Sequence, residues 1–322
     1  MTPQSSATHG RRVAISGSAA GLGWGALGIL AFSFTVPLTR FAVDALSPLF
    51  IGAGRAVIAA ALAAVALAIT RQRLPRARQW IRLMVVAGGV VVGFPLLTSF
   101  ALTDTEASRG AVVIGLLPAA TAVVAVVRGR ESPSRAFWAM AAAGATAAVV
   151  FAAIDGGGLS SLRWSDLLLF AAVIAAAIGY AEGGLLAREL GAWQTVSWAL
   201  VLAAPVMLVL TVTAIAAETP AADPLQWAAF AYLSAISMFF GFFAWYRGLA
   251  IGPIARVSQV QLVQPVLSIL WASILLGEAL TVPTVFGGLA VVCCAAAAVR
   301  VRQAPRGGNP RPARADRGPA GE

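Results

Sequence analysis

Apolar residues run along this chain in long stretches, and polar residues gather in short bursts between them. Ten stretches stand out, at 19–39, 49–69, 81–102, 110–127, 136–154, 167–187, 195–217, 226–247, 257–276 and 281–299. A helix needs about 20 mostly apolar residues to cross a bilayer. The pattern therefore predicts an all-α polytopic membrane protein with ten transmembrane helices. The intervening segments, such as "RQRLPRARQ", "GRESPSR" and "ETPAADP", are short and rich in Pro, Gly and charge, as turns are.

The arginines orient these spans. With the N-terminus in the cytoplasm, nineteen of the 23 fall on inside segments, adjoining helix ends or the C-terminal tail. Only Arg40, Arg109 and Arg163 fall outside, and Arg55 lies within the second span. This positive-inside bias predicts cytoplasmic termini on both sides of an even number of spans, in the plasma (inner) membrane. It also reads the net charge of +10 as a topology signal and excludes nucleic acid as a partner. Residues 1–18 form a cytoplasmic N-terminal tail. The first span is too long for a signal-peptide core and is expected to be retained. The Pro/Gly/Arg-rich tail, 301–322, is expected to be disordered.

A second pattern overlies the first. "LPAATAVVAVVRGRESP" from Leu117 is echoed by "QPVLSILWASILLGEAL" from Gln264. The shift of 147 residues pairs Pro118 with Pro265 and Glu131 with Glu278. It also pairs Leu102 with Leu249, Arg109 with Arg256 and Val113 with Val260. The shift spans five helices, an odd number, so the second copy enters the membrane in the opposite sense. The prediction is two inverted five-helix repeats, 19–154 and 167–300, an architecture typical of secondary transporters.

Composition narrows the chemistry. Hydrophobic residues make up 59% of the chain and charged residues 11%, against about 25% in soluble domains. The chain has no lysine, which removes Walker-type ATP binding and lysine covalent catalysis. Its one histidine, His9, sits in the N-terminal tail. Cys293 and Cys294 are adjacent in an apolar run and are read as packing residues. No cofactor, no metal and no enzymatic activity are expected.

At this point the chain resembles EamA-type members of the drug/metabolite transporter superfamily. The residues that carry the resemblance are "QPVLSILWASILLGEALTVPTVFGGLAV", "YRGLAIGPIARVS" and "SPLFIGAGRAVIAAAL". It covers roughly 20–300. The first repeat departs from the family pattern, with "GRE" where "LGE" is usual. The resemblance implies a carrier or exporter of amino acids, drugs or small metabolites.

Polar residues inside the spans are candidates for the site, because lipid makes them costly. Gln261, Gln264, Ser268 and Trp271 fall on one helix face, where the first repeat has Ile114, Leu117, Thr121 and Val124. They read either as a wall of a substrate cavity or as interhelical hydrogen bonding. Glu182 is the one carboxylate placed deep in a span. It is a candidate for proton coupling or amine binding, against a structural pair with Arg188 or Arg55. Arg55 would attract a substrate carboxylate or pair with Asp44 or Glu182. Tyr180 and Trp245 read as cavity lining or as interfacial belt. Glu131 and Glu278 read as helix caps. Glycines at 21, 25 and 28, and at 88, 89 and 93, read as faces for close helix packing.

The function expected is a secondary transporter, most simply an exporter, moving a small molecule by alternating access. The partners are that molecule and the bilayer, with a homodimer left open. The alternatives are a channel, a non-transporting receptor or scaffold, and a lipid-active membrane enzyme.

Overall fold

The computed structural model describes residues 6–129, 134–155, 163–251, 257 and 260–303, and among these there is no strand. Seven helices are long and apolar enough to cross a membrane. They are α1 (Ala19–Ala42), α2 (Pro48–Ile69), α3 (Ala77–Ala101), α4 (Ala107–Arg128), α6 (Trp164–Leu190), α7 (Ala192–Ala217) and α8 (Pro224–Ile251). Three further helices have shorter apolar stretches: α5 (Arg135–Asp155), α9 (Gln261–Leu276) and α10 (Val282–Gln303). The helix that contains α1 begins at Ser6, so part of the segment expected as a tail is helical. Glu131 and Arg256 lie outside the described residues.

Large apolar side chains such as Ile69, Ile81, Val209, Leu225 and Phe286 point outward and are exposed. A water-soluble protein rarely presents so much apolar surface, whereas hydrocarbon solvates it. The interior combines alanine and glycine with larger apolar residues such as Ile29, Phe137 and Leu200 and with small polar residues such as Ser33 and Thr39. Close backbone approach there comes from specific glycines. A Cβ at Gly28 would lie 2.8 Å from the Trp245 amide nitrogen, so α1 and α8 nearly touch. A Cβ at Gly89 would lie 2.4 Å from the Ala175 carbonyl oxygen, so α3 and α6 do the same. Both placements agree with the small-residue faces read from the sequence, but Gly88 faces open space.

The packing has a regular plan. α2 lies along α7, α5 along α10, and α4 against α9. α1 packs on α8 and α3 on α6, while α4 also packs on α6 and α9 on α1. Exchanging the first five helices with the last five returns the same set of pairs. Irregularities follow the same rule. α3 widens into π-type turns at Ala87–Gly93 and α8 at Tyr232–Gly241. Shifted by 147 positions, the first segment falls inside the second. α4 is interrupted between Ile114 and Leu117, and α9 opens with a tight turn at Gln261–Val263. These are again equivalent positions. Pro118 and Pro265 follow the two interruptions, where the ring removes an amide donor.

Candidate functional site

The irregular turns meet in the middle of the bundle, where they leave a small cavity. π-type turns leave backbone and side chains off the regular helical register, and they are often found at functional sites. α1 lends Phe32, Thr35 and Val36 to the wall, and α2 lends Arg55. Val90, Phe94 and Pro95 come from α3, Leu117 from α4 and Tyr180 from α6. Ser237, Met238 and Phe242 come from α8, and Gln264 from α9. A narrower extension between α4 and α9 shares Val36, Leu117 and Gln264 with this cavity and adds Gln261 and Ser268.

Among the described residues of the cavity wall, Arg55 is the only charged one. It is 1% exposed, and its one hydrogen bond is from Nη2 to the Thr98 hydroxyl at 3.5 Å. Its Nε has no acceptor. Neither Asp44 nor Glu182 pairs with it: Asp44 is held by Arg40, one helical turn away. Thr35 and Ser237 share a 2.7 Å hydrogen bond across the α1–α8 seam. The Tyr180 ring meets Phe242 edge-on at 5.9 Å.

The polar stripe of α9 divides. Gln261 and Gln264 are buried and face the cavity system, and the Gln261 amide nitrogen has no partner. Ser268 also borders it, but its hydroxyl donates to the Ser33 carbonyl at 2.7 Å. Trp271 donates from Nε1 to the Ser33 hydroxyl at 3.0 Å and stacks on Phe34 at 4.5 Å. α1 breaks its helical pattern at Phe34, and Ser268 and Trp271 brace that break. Gln261 and Gln264 thus border the cavities, and Ser268 and Trp271 make interhelical hydrogen bonds, on different turns of one helix.

Trp245 does not border the cavities. It is 2% exposed and wedged between α8 and α1 at Gly28, so it belongs to neither an interfacial belt nor the cavity wall. Gly28 lets the Trp245 backbone approach α1, and the edge of the indole lies 4.0 Å from a Cβ placed at Gly25.

Glu182 lies away from the central cavity, 5% exposed. It borders a second, larger and more open cavity with Arg82 and Arg128. Arg82 of α3 donates to one of its oxygens, and Arg128 of α4 to the other at 3.0 Å. Arg82 also binds Glu189. The expected partners Arg188 and Arg55 are therefore replaced by two arginines that the sequence suggested only as topology signals. Their Glu182 partners lie 100 and 54 positions away, which no local pattern reports.

The opposite end of the bundle is tied by other ion pairs. Glu278, after α9, accepts the amide protons of Ala107 and Ser108 at 2.7 and 2.8 Å, capping α4. A carboxylate at a helix N-terminus satisfies free N–H groups and meets the positive end of the dipole. Arg109, expected in an outer loop, is buried in α4 and binds both oxygens of Asp166, at 3.0 and 2.8 Å. Asp166 is a second buried carboxylate that the span limits hid.

A long helical bundle, an irregular centre with a buried arginine and side-chain ties at both ends make up the structure. The exposed apolar helix faces fit a bilayer, and comparison with known proteins agrees. One chain of 46% identity over 280 residues is an "Uncharacterized transporter YdeK" of Bacillus subtilis (strain 168), matched over 86% of this chain and 97% of the relative. A solved crystal structure superposes with a TM-score of 0.61 at 19% identity, over 89% of this chain and 98% of that one, a likeness of fold. The model of the EamA-like transporter family matches twice, over residues 19–153 and 163–300. The chain belongs to the EamA-like transporter family.

Proposed function

We propose that the chain is a secondary transporter, an exporter in the plasma (inner) membrane, that carries one small metabolite, amino acid or drug-like molecule per cycle through the central cavity. Ten spans form two five-helix halves, 19–154 and 167–300, of opposite orientation. Both termini lie in the cytoplasm. The exchange-symmetric packing and the matched irregularities of α3 with α8 and α4 with α9 support this reading. Two halves that are alike but inverted can exchange inward and outward openings around one midplane site.

One observation carries the proposal: a cavity with Arg55, Gln264 and Tyr180 in a largely apolar wall lies between the first five and the last five helices, under a closed end. Arg55, Gln264, Tyr180 and Gln261 are its binding groups. Glu278 and the Arg109–Asp166 pair latch the periplasmic end, while the second cavity opens the cytoplasmic end as far as Glu182. Glu182 then acts as the ion-pair hub joining α3, α4 and α6 on the cytoplasmic side. A proton-coupling role for it is the second reading, supported by its burial beside that cavity.

Proteoliposomes loaded with a small-molecule extract test the function. The expected result is saturable, protein-dependent exchange of at least one solute, detected by mass spectrometry, without steady ion conductance. Conductance without exchange would instead indicate a channel, and neither activity a receptor or scaffold.

A further inference from the structure

We infer that the ligand of the central cavity is an organic monoanion with an apolar body, its acidic group seated on Arg55. The inference rests on the carrier reading above and adds the chemical class of the cargo.

The chain contains its own control. Arg55 and Arg109 are both buried, at 1% and 5% exposure. Arg109 is compensated in full by the two oxygens of Asp166. Arg55 has one long side-chain hydrogen bond to a neutral hydroxyl and an orphan Nε, and no carboxylate borders its cavity among the described residues. A buried guanidinium held this way is strongly disfavoured unless a counter-anion joins it. An anion that enters beside Arg55 meets the guanidinium directly, and an arginine fork suits the two oxygens of a carboxylate.

Charge balance sets the ligand's valence. A monoanion neutralises the single cation. A dianion leaves a net negative charge in a low-dielectric site, and a cation adds repulsion. A zwitterion brings an ammonium for which the wall has no acidic partner among the described residues. The rest of the wall, with Phe32, Phe94, Met238 and Phe242, suits an apolar or aromatic body. The Gln264 amide and the Tyr180 hydroxyl supply the remaining polar contacts.

Four matched probes separate these cases: phenylacetate, phenyl phosphate, phenethylamine and phenylalanine. Each is titrated into purified wild type, Arg55→Gln and Arg55→Lys while the melting temperature is followed. Phenylacetate should raise it saturably, with half-saturation at least about tenfold below that of the other three. Arg55→Gln should lose that response by at least about tenfold, and Arg55→Lys should keep part of it. Without ligand, Arg55→Gln should melt at or above wild type, because it removes an uncompensated buried charge. A ligand-free Arg55→Gln that melts lower or fails to fold makes Arg55 structural and overturns the inference. So does a phenylacetate response that survives in Arg55→Gln, a preference for phenethylamine, phenylalanine or phenyl phosphate, or no phenylacetate response at all. Counterflow of the same probes in proteoliposomes separates the two claims. Exchange of phenethylamine alone would keep the carrier and remove the anion site. Arg55-dependent binding of phenylacetate without exchange would keep the site and remove the carrier.

Discussion

Replacing Glu278 with alanine removes the carboxylate that holds the start of α4 against the end of α9. Two amide protons, at 2.7 and 2.8 Å from its oxygens, lose their acceptors. A hydrogen bond to a charged group contributes about 1.5–3 kcal/mol, and loss of a helix N-cap costs about 0.5–2 kcal/mol. The two bonds share one helix end and one partly exposed carboxylate, so a joint loss of about 2 kcal/mol is the reasonable size. In the proposed cycle the contact joins α4 and α9 only when this end is closed, so the loss falls on the closed state. The closed-to-open ratio should then drop roughly 30-fold. Glu278→Gln keeps a neutral acceptor and should lose about half as much, near fivefold. Ala111, one turn below the cap, is buried and reports the opening. Introduced as Ala111→Cys in a Cys293→Ala/Cys294→Ala background, it should react faster with an impermeant maleimide applied from the Glu278 side, in the order alanine, glutamine, wild type. Equal rates in all three folded proteins would refute the latch.

Other substitutions separate binding from packing. Gln264→Ala should weaken ligand binding with little change in melting temperature, whereas Ser268→Ala should lower stability by about 1 kcal/mol, since it breaks the bond to the Ser33 carbonyl; calorimetry and ligand titration on both variants check the contrast. Gly28→Ala should destabilise by about 1–3 kcal/mol by forcing α1 from α8, and Gly88→Ala, with open space around it, should be near neutral in the same melting assay. Glu182→Gln should lower thermal stability by weakening the ties of Arg82 and Arg128 that join α3 and α4 to α6; if stability holds but pH-gradient-driven uptake is lost, the coupling role replaces the hub.

Hydropathy located the helices because burial in lipid demands continuous apolar runs, and the 147-residue echo marked equivalent positions on α4 and α9. Partners were not legible. Arg82 and Arg128 looked like any other arginines in a positive-inside count, and only the folded chain brings them to Glu182. Arg55 stood out as a charge inside a span, but its lack of a carboxylate could be seen only once α2, α3 and α8 were assembled. Trp245 misled because an aromatic near a helix end has the same sequence signal in a belt and in a seam. Gly28, on another helix, decided which. The brace at Ser268 and Trp271 depends on a break at Phe34 that leaves no Pro or Gly as a mark. The π-type turns of α3 and α8 were not foreseen either. Gly88, Gly89 and Gly93 signalled close packing, and only Gly89 and Gly93 meet another helix.

Alternating access to one central site is tested most directly at Gln264, 7% exposed and shared by both parts of the cavity. Gln264→Cys, in the Cys293→Ala/Cys294→Ala background, is probed with an impermeant maleimide in right-side-out and in inside-out vesicles. The account predicts labelling from both sides, with the Glu278→Ala variant favouring the periplasmic side and no steady conductance in either. Labelling from one side only, or from neither, would contradict it.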